Sequence, residues 1–171
     1  MHCVLQGACK LLLNLWFAPA YAGNIFSVSS EIDTVNRRLL EIKPPDLITR
    51  VPRSLEDRRL WRASELPSWL LFYSLHCLFD ILAEECFQQL ACFVEALWLM
   101  LQDSITEHDL LQSERLTYFC EMFGTIYRER YMTLNIHHLV HLPMCVRNLG
   151  TLWCQSCFPL DRKSTRLNSS H

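Results

Sequence analysis

Phe87, Leu90, Ala91, Val94, Leu97, Trp98 and Leu101 recur every three or four positions, the spacing that lines one face of an α-helix. The same period governs most of the sequence. Val4, Ala8, Leu11, Leu12 and Leu15 predict a first helix that ends by Pro19. After a loop to Ser30, the spacing of Ile32, Val35, Leu39 and Ile42 predicts a short amphipathic helix, stopped by Pro44 and Pro45. Pro44, Pro45 and Pro52 then keep Lys43 to Arg53 extended.

Helix starts and stops mark the remainder. Ser54-x-x-Asp57 has the form of a capping box that opens a short helix, and Thr106-x-x-Asp109 has the same form further on. Glu65 to Leu78 reads as a buried helix carrying Trp69 and Tyr73. Behind Thr106, a helix should turn Leu116, Phe119, Phe123 and Ile126 inward. The last helix runs from Thr133 to a C-terminal cap at Gly150, with Pro143 splitting it. No segment alternates apolar and polar residues as a half-buried strand does. The expectation is a mainly α fold, a helical bundle.

Length and composition then exclude several classes. A chain of 171 residues, half of them apolar and a fifth charged, suits one globular domain that buries about 68–70% of its unfolded surface. The apolar stretch from Trp69 to Leu101 contains Asp80, Glu84, Glu85 and Glu95, charges that lipid tolerates poorly, so it reads as buried core helix and not as a membrane span. The run "LLLNLWFAPAYAG" has the outline of a secretory signal, but no Lys or Arg precedes Lys10, which abuts the apolar segment. Nine cysteines at irregular spacing argue against a disulfide framework. Cys77, Cys86, Cys92 and Cys120 lie in apolar helical runs, where a free thiol acts as a small hydrophobe. A reducing, intracellular compartment is expected, and a secreted cysteine-containing helical protein is the disfavoured alternative. With four glycines and no G-x-G-x-x-G or G-K-[ST] run, no phosphate loop is expected. The net charge of -2 gives no case for a general polyanion binder.

Three constellations offer chemistry. His137 and His141, four apart, share a helix face near Cys154-x-x-Cys157, a spacing that zinc sites use. His-before-Cys order, the single Cys pair and the intervening Pro143 weigh against zinc, and the bland expectation is that His137 and His141 pack at a helix interface. Arg50, Arg53, Arg58, Arg59 and Arg62 form the densest basic cluster and could pair with phosphates. Glu56, Asp57 and Glu65 partly offset it, so a solvated face is the favoured reading of these residues alone. Glu84-Glu85 and Glu107/Asp109 fall in helix first turns, where the helix dipole favours acids without catalysis.

"MHCVLQGACKLLLNLWF" resembles the segment after the second catalytic acid of CACTA-type transposases, whose pattern is Asp-x-Met-His followed by a Leu-rich helix. The resemblance continues, in order, through "IKPPDLITRVPRSLEDRRLWRASELPSWLLFYSL", "FVEALWLMLQDSIT" and "RYMTLNIHHLVHLPMCVRNLGTLW" to "SCFP". It implies a helical insertion in a larger RNase H-like core, in which three carboxylates hold two Mg²⁺ ions for DNA strand transfer. His2 matches the His of the motif, while its Asp would precede Met1. Phe158-Pro159 match the start of the family's Phe-Pro-Phe-Glu, but Leu160 and Asp161 stand where Phe and Glu belong. His137 and His141 match its His-x-x-x-His-Leu-Pro. None of the three family acids is therefore expected in this sequence, and no bound metal or other cofactor with them. DNA as a partner, and a nuclear location, are implied for an intact parent alone.

The closing residues, "DRKSTRLNSSH", differ in character. Codon by codon they are the translation of a common short-read sequencing adapter, and they begin where the family match stops. Residues 161–171 are accordingly set apart from a helical region at 1–160. Without the tail, 13 of the 16 Lys and Arg residues and 17 of the 18 Asp and Glu residues remain, a net charge near −4. Two functional expectations result. One is a catalytically inactive portion of a transposase-derived protein; the other is a domesticated helical protein–protein interaction module that self-associates through exposed apolar surface.

Overall fold

The N-terminal apolar run forms the middle of the fold. In the computed structural model, which describes residues 3–44 and 51–152, π-helical turns at Cys3–Cys9 lead into α1 (Lys10–Phe17). Periodicity predicts one apolar face here, and the buried arc is wider than that face, taking in Leu13, Trp16 and Phe17 beside Leu12 and Leu15, while Lys10 and Asn14 stay exposed on the remaining side. So wide an arc needs several neighbours. These include α3 (Leu66–Ser68) and α8 (Leu134–His138). Gly7 permits the approach of α8, because a Cβ there would lie 2.5 Å from the Cβ of Asn135.

Charged and polar groups tether this centre. Trp16 donates from Nε1 to the Tyr127 hydroxyl at 3.0 Å, joining α1 to α7 (Arg115–Tyr127). Burial raises the Tyr127 hydroxyl well above its ordinary pKa, and the bond from Trp16 offsets only part of that. α2 (Ile32–Glu41) buries Val35 and Leu39, and ends as expected before Pro44. Its Arg38 donates to the Phe79 carbonyl at 2.7 Å and to Asp80 at 2.8 Å. Asp80 adopts φ +59°, a left-handed conformation that Asp tolerates, and Arg38 holds that turn.

That turn separates the two helices predicted at Glu65 to Leu78 and around the Phe87 to Leu101 stripe: π-helical turns at Trp69–Tyr73 and α4 (Ser74–Leu78) lead to the Asp80 turn, and α5 (Glu84–Met100) starts afresh. The face of α5 also differs from the sequence stripe. Gln89, Phe93 and Met100 are buried, whereas Trp98 is half exposed and Phe87 and Ala91 are only partly covered. α5 packs against both α6 (Glu107–Ser113) and α7, so two neighbours set its buried arc. The run behind Thr106 likewise divides into two helices. Ser113 donates its hydroxyl to the Leu110 carbonyl at 2.7 Å, a local bond that competes with the helical ladder.

The Thr106 capping box forms in both directions. Thr106 Oγ1 accepts from the Asp109 N–H at 3.2 Å, and Asp109 Oδ2 accepts from the Thr106 N–H at 2.8 Å and hydroxyl at 2.6 Å. Those bonds, the side-chain one first, hold the Asp109 carboxyl below its ordinary pKa. A depressed folded-state pKa adds stability above the unfolded value of about 3.9, which is lost as pH falls through the folded one. Thr106→Ala is expected to cost about 1 kcal/mol near neutral pH. The stability gap between the wild type and Asp109→Asn should close as urea titrations move from pH 6 toward pH 2. A gap independent of pH would remove the carboxylate's role.

At Ser54 the expected box is incomplete. Its hydroxyl accepts from the Glu56 N–H at 3.2 Å, and Leu55–Leu60 winds as tighter 3₁₀ turns, which carry Asp57 out of reciprocal reach. The last helix divides as Pro143 predicts: α8, 3₁₀ turns at Leu139–His141, then α9 (Leu142–Leu149), closed by Gly150 at φ +86°. No strand occurs among the described residues, and none of their helices is long and apolar enough to cross a membrane. The fold is mainly α. Cys3, Cys9, Cys77, Cys86, Cys92 and Cys120 are free thiols. Burial pushes Cys9, Cys77 and Cys120 up to about 12 and Cys86 to about 11, which leaves them protonated and inert.

Candidate functional site

The arginine cluster divides into tethers and free cations. Arg53 donates from Nε to Glu65 at 2.8 Å and from Nη2 to the Leu60 carbonyl at 2.8 Å. Arg58 turns inward: it donates to the Leu55 carbonyl and to the Phe17 carbonyl, each at 3.0 Å, and lies 6.0 Å from the centre of the Phe17 ring. Desolvation, and then the nearby charge of Arg59, lower its pKa. Arg59 and Arg62 are exposed, and neither side chain makes a hydrogen bond or ion pair among the described residues. Arg50 lies outside the described residues. The expected solvated face is thus half correct, since two of its arginines brace the fold.

His137, His138 and His141 are exposed, which corrects the expectation that His137 and His141 fill a helix interface. The 3₁₀ turns between them direct Ile136, Leu139 and Leu142 inward instead. The rings of His137 and His141 meet edge to face at 5.7 Å. Among the described residues, no group of three or more His, Cys, Asp or Glu is placed to hold a metal ion. His2, Cys154 and Cys157, with Leu160 and Asp161, lie outside the described residues.

The acids belong to helix starts. Glu84 and Glu85 open α5, where Glu84 accepts from Gln88 at 2.6 Å, and Glu107 opens α6 while pairing with Arg147 on α9. Glu95 pairs with Arg115 at 2.8 Å.

Apolar side chains on the surface are the feature that sequence reasoning missed. Phe72 and Trp98 meet edge to face at 5.6 Å, each about half exposed, and Phe79 meets Phe87 at 5.8 Å. Trp98 fits the helical stripe perfectly well, so periodicity alone places it inside. The packing of α5 against α6 and α7 leaves it out.

These placements define a helical scaffold whose charged groups cap helices and tie segments together. No protein-family model, no curated protein and no solved structure matches the chain.

Proposed function

We propose that residues 1–160 are a non-catalytic helical portion of a CACTA-type transposase-derived protein. The observation that carries this reading is the use of the carboxylates. Glu84, Glu85, Glu107 and Asp109, the paired acids available for chemistry, open helices and bind Gln88, Arg147 and Thr106. Among the described residues, the acids are not grouped as the Mg²⁺ pair that the family implies would need. In an intact parent, Arg59 and Arg62 are the members of the basic cluster, among the described residues, left to meet DNA phosphates.

A second reading, a helical interaction module that self-associates, is favoured by the exposed Phe72–Trp98 and Phe79–Phe87 pairs. One preparation of residues 1–160 tests both readings. It is expected to leave supercoiled and linear DNA intact with Mg²⁺ or Mn²⁺, and these ions should not move its thermal midpoint. Metal-dependent cleavage that purifies with the protein would sink the first reading. Sedimentation as a monomer at every concentration would sink the second.

A further inference from the structure

The contacts Phe72–Trp98 and Phe79–Phe87 pair the run from Trp69 with α5 in opposite directions across the Asp80 turn, as in a helical hairpin. Seven residues separate Phe72 from Phe79 and eleven separate Phe87 from Trp98, close to two and three helical turns. Both rungs therefore fall on one side of the hairpin, with Leu75 and Ala91, partly covered, between them. Phe72, Phe79 and Trp98 are 49%, 62% and 50% exposed, so large rings meet water along about 16 Å of α5. α7 packs on the far side of α5, where Gln89 bonds the Phe119 carbonyl half a turn round from Trp98.

The charge beside this face has one sign. Between Arg62 and Arg115 the chain has nine acids and no Lys or Arg. Asp80 and Glu95 are taken up by Arg38 and Arg115, and Glu65 and Glu107 by Arg53 and Arg147. Glu84 and Glu85 are exposed and have no cationic partner among the described residues. Glu84 lies one turn before Phe87 on the same stripe, so the Phe79–Phe87 end of the apolar face carries free negative charge. A second copy laid on this face would bring acids to acids. The occupant that fits joins an apolar stripe to cations, the make-up of a basic amphipathic helix.

We propose that the outer face of the α4–α5 hairpin docks a basic amphipathic helix of a partner protein, its apolar stripe along Phe72, Phe79, Phe87 and Trp98 and its Lys or Arg residues opposite Glu84 and Glu85. This assignment rests on the interaction-module reading and names the partner's chemistry; it fails separately, since self-association is read from the protein alone. The probe is the fluorescein-labelled peptide LKKLLKLLKKLLKL, whose leucines recur at helical spacing, and LEELLELLEELLEL presents the same stripe with the opposite charge. In anisotropy titrations of the full chain, the Lys peptide is expected to bind saturably, and the Glu peptide at least about tenfold more weakly. Trp98→Ala and Phe79→Ala, both changes at the surface, should keep the thermal midpoint close to the wild type and each weaken the Lys peptide about fivefold or more. Glu84→Gln combined with Glu85→Gln should weaken it about three- to tenfold at low salt. Leu134→Ala, which removes an exposed apolar side chain on α8, and Glu121→Gln, an exposed acid on α7, should leave the affinity unchanged. Equal binding of the two peptides, an affinity untouched by Trp98→Ala and Phe79→Ala, or an equal loss in Leu134→Ala would each overturn the proposal. A dimer of the protein alone that Trp98→Ala dissociates would assign the face to a second copy and overturn it too.

Discussion

Phe119→Ala is expected to lower the free energy of unfolding by about 3–5 kcal/mol, the range for deleting a fully buried aromatic ring. Phe119 is wholly buried on α7 and stacks on Phe93 of α5, with ring centres 4.5 Å apart and planes at 18°. It also touches Phe123, which leads on to Tyr127 and from there to Phe26 and Trp16. Truncation would open a cavity at the head of this aromatic series, between the helices with the most extensive mutual packing. Domains of this kind are held by about 5–15 kcal/mol in all, so the loss would be a large share of the total. Urea titration with an unchanged slope measures it, and Trp98→Ala is the comparison. Trp98 is half exposed and meets Phe72 at the surface, so its loss should cost about 1 kcal/mol or less. If the two variants proved equally costly, the division of α5 into a buried arc and an exposed aromatic pair would be wrong.

The contrast between Phe119 and Trp98 also shows how far the sequence could be read. Period 3.6 is a property of a helix in isolation, and it located α2, α5 and α7 to within a few residues. Caps are local too. Thr106 and Asp109 needed only each other, and Pro143 and Gly150 acted through their own backbone preferences. Which face is buried depends on how many neighbours a helix has, and that is tertiary information. Leu13 and Trp16 lie off the predicted apolar face of α1 yet are buried, and Trp98 lies on the predicted stripe of α5 yet is half exposed. The break in the run behind Thr106 was hidden for a related reason. The bond from Ser113 to Leu110 leaves no trace in hydropathy.

The basic cluster supplies the sharpest separation between neighbours that the sequence presents as equivalent. Arg58→Ala is expected to destabilise the fold by about 2–3 kcal/mol, and Arg59→Ala to stay within about 0.5 kcal/mol of the wild type. The Arg58 guanidinium ties its own turn to a residue 41 positions earlier: Nη1 bonds the Leu55 carbonyl and Nη2 the Phe17 carbonyl, at the end of α1. The Phe17 carbonyl closes α1 and has no partner further along that helix, whereas Leu55 opens the 3₁₀ turns. Removing the side chain takes the donor from the Phe17 carbonyl and uncovers the Phe17 ring beneath. Arg58→Lys should recover part of the loss, because one ammonium cannot reproduce a two-armed bridge. Arg59 has no such tie, so its charge remains available to solvent or to phosphate. If the cluster instead acts as one unit, as a DNA-binding face would, Arg58→Ala and Arg59→Ala should weaken retention on duplex DNA equally and leave thermal midpoints alike. Under the proposed DNA role, the expected outcome is loss of stability in Arg58→Ala, with loss of salt-sensitive DNA retention in Arg59→Ala and Arg62→Ala.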